Sequence, residues 1–89
     1  MLFLPEELTQ AQASGCVADG LAALRAESGE MVVVDAAALT RFDSSALAVL
    51  LEFRRETLVM GKQFAVKAVP QQLKNLATIY GVAELLPGI

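Results

Sequence analysis

The chain has no histidine, one cysteine, and only 7 basic residues against 10 acidic ones in a length of 89. Each shortage closes a class of function. Without histidine, and with Cys16 in apolar helical surroundings, no Ser-His or Cys-His nucleophile pair can form. A structural zinc site lacks its ligands for the same reason. A lone cysteine makes no internal disulfide, which fits a reducing, cytoplasmic setting, and Cys16 reads as a small core filler. The few basic residues are scattered, so no stripe exists to neutralise phosphates; nucleic-acid binding and polybasic adhesion to a membrane surface are both disfavoured. No apolar run approaches the roughly 20 residues that span a bilayer, since Asp35 interrupts "MVVVDAAAL". The opening "MLFLPEEL" reaches Pro5 and two glutamates at once, which reads against a secretory signal.

What is present is a globular composition, 55% hydrophobic and 19% charged, suited to one small domain over residues 1–89. "LFLP" reads as a short strand ended by Pro5. Thr9 and Gln12 have the spacing of a capping box and start a helix whose buried stripe is Ala13, Val17, Leu21 and Leu24. Gly15 and Gly20 lie inside it, each costing about 1 kcal/mol against Ala, and close approach to the sheet is the expected compensation. Ser28 and Gly29 end the helix. "EMVVVDA" reads as a strand buried on both faces. A helix from about Ser44 to Met60 follows, stopped by Gly61, and "QFAVKAV" is a further strand with less complete burial. Pro70 is placed to open a last helix, with Leu73, Leu76, Ala77 and Tyr80 as its stripe and Gly81 as its end. Val82, Leu85 and Leu86 are expected to fold back on the core. The order β-α-β-α-β-α predicts an α/β fold, a small, mostly parallel sheet flanked by helices.

The chemistry-bearing stretch is "TRFDSSALAVLLEFRRE", Thr40–Glu56. On a helical wheel Ala46, Val49, Leu50, Phe53, Thr57 and Met60 form the core face. Ser44, Ser45, Ala48, Glu52, Arg55 and Glu56 fall opposite, with Leu47 and Leu51 at the border. Asp43 is a good N-cap, its carboxylate accepting from a free N–H at the positive end of the helix dipole. A phosphate added to Ser44, or to Ser45 beside it, would be tolerated at the same end, with Arg41 close in sequence to pair with it. Asp35 is explained as a strand-end residue bonding to the next loop, not as one half of a catalytic pair with Asp43. Arg54 and Arg55 beside Glu52 and Glu56 read as a solvated face with i,i+3 and i,i+4 pairs. "MGKQ" lacks the flanking Gly and Ser or Thr of a phosphate-binding loop, so no nucleotide or other cofactor is implied.

The buried strand and Asp-Ser helix start, "VVVDAAALTRFDSSALAVLLE", together with "FAVKAVPQQLKNLATIYGVAELLP", resemble the STAS family, shared by sulfate transporters and anti-sigma factor antagonists. The resemblance covers roughly Glu30 to Pro87 and, more loosely, the first strand and helix. Within the family the chain is most similar to the small STAS subunit of a phospholipid ABC transporter. That resemblance implies a non-catalytic cytoplasmic subunit, peripheral at the inner membrane, that binds the transporter's ATPase and through it the permease. It also implies that the hydroxyl residue after the Asp, here Ser44, contacts the ATPase. On that reading Arg41, Asp43, Ser44, Ser45, Leu47, Ala48, Leu51 and Arg55 make the partner surface, with Leu47, Ala48 and Leu51 at its apolar centre. In the sigma-antagonist branch the same position is phosphorylated by a kinase that doubles as the anti-sigma factor. Both branches often carry Gly two residues after the site, where this chain has Ala46, small enough to keep the helix start near the sheet.

Overall fold

Three strands of the computed structural model, which describes residues 1–88, form a parallel sheet in the order β1-β3-β5. They are β1 (Leu2–Phe3), β3 (Met31–Asp35) and β5 (Gln63–Lys67). Leu2 pairs with Val34, and Val32 and Val34 pair with Phe64 and Val66, so alternate residues of all three strands line one face. That face is buried: Leu2, Val32, Val34, Phe64 and Val66 are all at most 6% exposed. Helices α1 (Gln10–Ala26), α2 (Ser45–Val59) and α3 (Gln71–Ile79) follow the strands, and a single 3₁₀ turn, Ala83–Leu85, closes the order.

The opposite face departs from the expectation of a strand buried on both sides. Phe3 and Met31 are exposed there and Val33 and Ala65 are half-buried. A run of valines reads the same whether one face or both are covered, and here the register sends only alternate side chains inward. A second departure is an additional parallel pair, β2 (Glu7–Leu8) with β4 (Arg41–Phe42). Strands of two residues carry no periodicity to detect.

Helix α1 begins at the Thr9 box: Gln12 Oε1 accepts from the Thr9 N–H at 2.9 Å and from its hydroxyl at 2.7 Å. Its two glycines behave differently from the expectation of close approach to the sheet. A Cβ on Gly20 would overlap the ring of Phe53 on α2, whereas nothing lies near Gly15. Gly20 therefore lets two helices meet over the largest core side chain, and Arg25 joins Glu56 across the same pair at 3.2 Å. Helix α2 buries Ala46, Val49, Leu50, Phe53 and Thr57 as the wheel requires, and the Thr57 hydroxyl donates to the Phe53 carbonyl at 2.7 Å. Met60 is half-buried just past its end.

Pro70 stands one position before α3, its carbonyl accepting from Leu73 N–H and Lys74 N–H. Leu73 and Ala77 are fully buried, but Tyr80 is not part of the inward stripe: it sits just past the last turn, 59% exposed. Gly81, at φ +71°, then reverses the chain. In the tail Leu86 enters the core and Val82 packs against it, while Leu85 stays 39% exposed because the 3₁₀ turn directs it outward. Beyond it the Pro87 carbonyl accepts from Val66 N–H at 2.8 Å, closing the outer edge of β5.

Candidate docking site at the start of helix α2

Asp43 uses both carboxylate oxygens on backbone donors. Oδ1 accepts from Ser45 N–H at 2.8 Å and Oδ2 from Gln10 N–H at 3.2 Å. The first bond caps α2 and the second caps α1, so one side chain joins two helix N-termini. The Ser45 N–H bond leads in holding the Asp43 carboxyl below the usual carboxylate range, with Gln10 N–H acting in the same direction. Asp35 is engaged elsewhere, accepting from Ala37 N–H at 2.8 Å and facing Lys67 at 3.7 Å, as a strand-end residue should. Both carboxylates are thus engaged by backbone donors, at different ends of the 35–43 segment.

Because Asp43 supplies the cap, the Ser44 hydroxyl makes no cap bond and stands exposed. Ser44 itself has helical dihedrals, φ −63° and ψ −15°. It forms the rim of a shallow hollow of about 260 Å³ with Leu47, Ala48, Leu51, Tyr80 and Val82. Four of these come from the cap and first two turns of α2, and two from the segment that follows α3. Ala48 is exposed and Leu51 half-buried; Ala46, at 0% exposure, faces the core directly beneath. Leu47 differs from its expected border position: at 4% exposed it is a core residue that also floors the hollow. Ser45 is half-buried.

The remaining predicted residues flank this surface. Arg41 is exposed on β4, in register with Glu7. Arg55 lies further along α2 and pairs with Glu52, whose carboxylate raises the guanidinium's hold on its proton. Glu56 turns to Arg25 on α1 instead of joining the expected pairs along its own helix. Sequence reasoning missed Tyr80 and Val82. Their one sequence signal is position, on either side of the Gly81 that reverses the chain after α3, where side chains just past the last turn no longer follow the stripe.

Cys16 is half-buried on α1, away from the hollow, and burial chiefly pushes its thiol pKa up, with Asp19 adding to the effect. Among the described residues no group of three or more Cys, Asp or Glu side chains is placed to hold a metal ion, and no helix is long and apolar enough to cross a membrane. The arrangement offers a flat surface of hydroxyl and apolar groups. Hydroxyls beside a small apolar centre are the composition of a small protein-binding surface. A family model described as "Mlab, STAS domain" matches residues 1–87. No curated protein gives a match.

Proposed function

Since the chain belongs to the MlaB-type STAS domain family, we propose that it is a non-catalytic subunit docking on the ATPase of an ABC-type phospholipid transporter that maintains outer-membrane lipid asymmetry. Docking supports assembly and activity of that complex and holds the chain at the inner membrane. The observation that carries this reading is the hollow of Ser44, Leu47, Ala48, Leu51, Tyr80 and Val82. It has the anatomy of a small interface, with an apolar centre, hydroxyls on its edge, and charge only further out at Arg41, Glu52 and Arg55.

The test is co-purification of the tagged chain with its transporter from its own cells. The wild type should bring down an ATPase and a permease, with Ser44 unmodified by mass spectrometry. Ser44→Arg should lose both while its melting temperature is unchanged. Retention of the ATPase by that variant would place the interface elsewhere.

One observation favours a second reading. The Ser44 hydroxyl is exposed and unbonded, hence accessible to a kinase. An anti-sigma factor antagonist switched at Ser44 would instead co-purify with a serine kinase and carry phosphate on that peptide. The neighbouring Asp43 carboxylate opposes a second anion there, which ranks this reading below the first.

A further inference from the structure

We propose that the open edge of β1 accepts one extended strand from a partner protein, apolar at alternate positions with lysine or arginine between them. This surface shares no residue with the Ser44 hollow.

The two outer strands of the sheet are treated differently. On β5, Val66 N–H is bonded to the Pro87 carbonyl, and Gly88 lies so close that any Cβ there would overlap the Val66 backbone. The chain thus covers that edge itself at Val66. On β1, Leu4 N–H donates inward to the Asp35 carbonyl at 2.9 Å. Backbone groups alternate sides along a strand, so the Phe3 N–H and C=O point outward from the sheet. Phe3 is also 72% exposed. An uncovered apolar edge is a template for strand addition.

Beside this edge, between β1 and α1, runs a groove of about 680 Å³. Gly15 and Gly20 leave room along its helical wall, and Phe53, 1% exposed, forms its inner end. A strand laid against β1 would direct alternate side chains into this groove over Cys16 and Phe53, the others lying beside Phe3. The charged side chains that line the groove are Glu7 and Asp19, both acidic, while the terminal ammonium of Met1, which also lines it, is paired with Glu27. That polarity selects a basic strand and works against a second copy of the chain, which would bring Glu7 and Asp19 of both copies together. A two-residue strand also offers far less than the roughly 1,000 Å² that a stable dimer needs.

The probe is a capped eight-residue peptide of alternating valine and lysine, with a valine–glutamate peptide as its counterpart. Binding is followed by amide chemical shifts and hydrogen exchange of the full chain. The lysine peptide should bind saturably and protect the Phe3 amide, and the glutamate peptide should bind at least about tenfold more weakly. Phe3→Pro removes the outward donor without touching the Leu4 bond and should weaken lysine-peptide binding by about tenfold, read from the chemical shifts of the groove amides of Cys16 and Gly20. Gly15→Lys fills the groove with a like charge from an exposed helical position. It should weaken binding by about tenfold or more with melting unchanged or raised, and it carries the test should Phe3→Pro fail to fold. Equal affinity for both peptides, no binding, or shifts confined to Ala48 and Tyr80 would overturn the proposal. Concentration-dependent protection of the Phe3 amide without peptide would overturn it too, by placing a second copy on the edge.

Discussion

Asp43 Oδ2 accepts from the N–H of Gln10, 33 residues earlier in the chain, while Oδ1 of the same carboxylate caps α2. The candidate docking surface is therefore indexed to α1 as well as to α2. Ser44 is held where it is by a residue that tethers both helices.

The tether titrates. The folded state lowers the Asp43 pKa, so the carboxylate contributes stability above its unfolded value of about 3.9 and loses that contribution as pH falls through the lower, folded value. The urea midpoint of the wild type should drop between pH 6 and about pH 3 by more than that of Asp43→Asn, which cannot ionise. Equal drops would assign the acid sensitivity to other carboxylates. In Asp43→Ala the amides of Gln10 and Ser45 should exchange faster at neutral pH.

The two glycines of α1 separate helix propensity from packing. Gly15→Ala has open space around it and should stabilise by about 0.5–1 kcal/mol. Gly20→Ala gains the same propensity but pushes against the buried Phe53 ring, and should destabilise by about 1–2 kcal/mol. Combining it with Phe53→Leu should cost less than the sum of the single changes, because the smaller side chain accepts the new methyl. Chemical denaturation of the four variants tests all three statements.

At the proposed docking surface, Leu47 and its neighbours should part company. Leu47→Ala removes a side chain that is 4% exposed and should cost about 2–4 kcal/mol of stability, so any binding loss in it reports unfolding. Ala48→Arg and Tyr80→Ala alter exposed positions and should leave stability within about 0.5 kcal/mol. Both should still weaken co-purification of the ATPase. Unimpaired co-purification by both would remove the end of α3 and the exposed flank of α2 from the interface.

The tail makes a prediction of its own. Gly88, at φ +102° against the Val66 carbonyl, has no room for a side chain. Gly88→Ala should cost roughly 1–2 kcal/mol from the backbone conformation alone, and the Val66 amide should lose protection from exchange. Unchanged protection would mean that the tail is held by Leu86 and not by its bond to β5.

The parts of this architecture that were legible in the sequence are those with local signals. The apolar runs placed β3 and β5, helical spacing placed the three helices, and the Thr9–Gln12 and Asp43–Ser45 relations follow from capping chemistry a few residues apart. Asp43 meeting Gln10 was not legible, because nothing in either segment encodes their proximity; the fold brings them together. Tyr80 follows the spacing of a buried stripe, yet the helix stops before that spacing can act. Leu47 sits at a wheel angle where inward and outward are decided by the neighbouring α3 and tail. The one-sided sheet was hidden because β-branched residues suit a strand whether its second face is packed or wet.

The unequal lengths of the sheet's ladders carry a consequence for how the molecule forms. Strand β3 is matched to β5 over five residue pairs and to β1 over two. The crossovers before and after β3, residues 4–30 and 36–62, are equally long, so closing either costs similar chain entropy, and the parallel β3–α2–β5 unit gains the longer ladder for it. The first strand, arriving across the 17-residue α1, adds little pairing in return and is expected to join after the barrier has been crossed. Substitutions in β1 would then speed unfolding while leaving the folding rate nearly untouched. The N-terminal strand is thus the part of the sheet most readily lifted away while the rest stays intact.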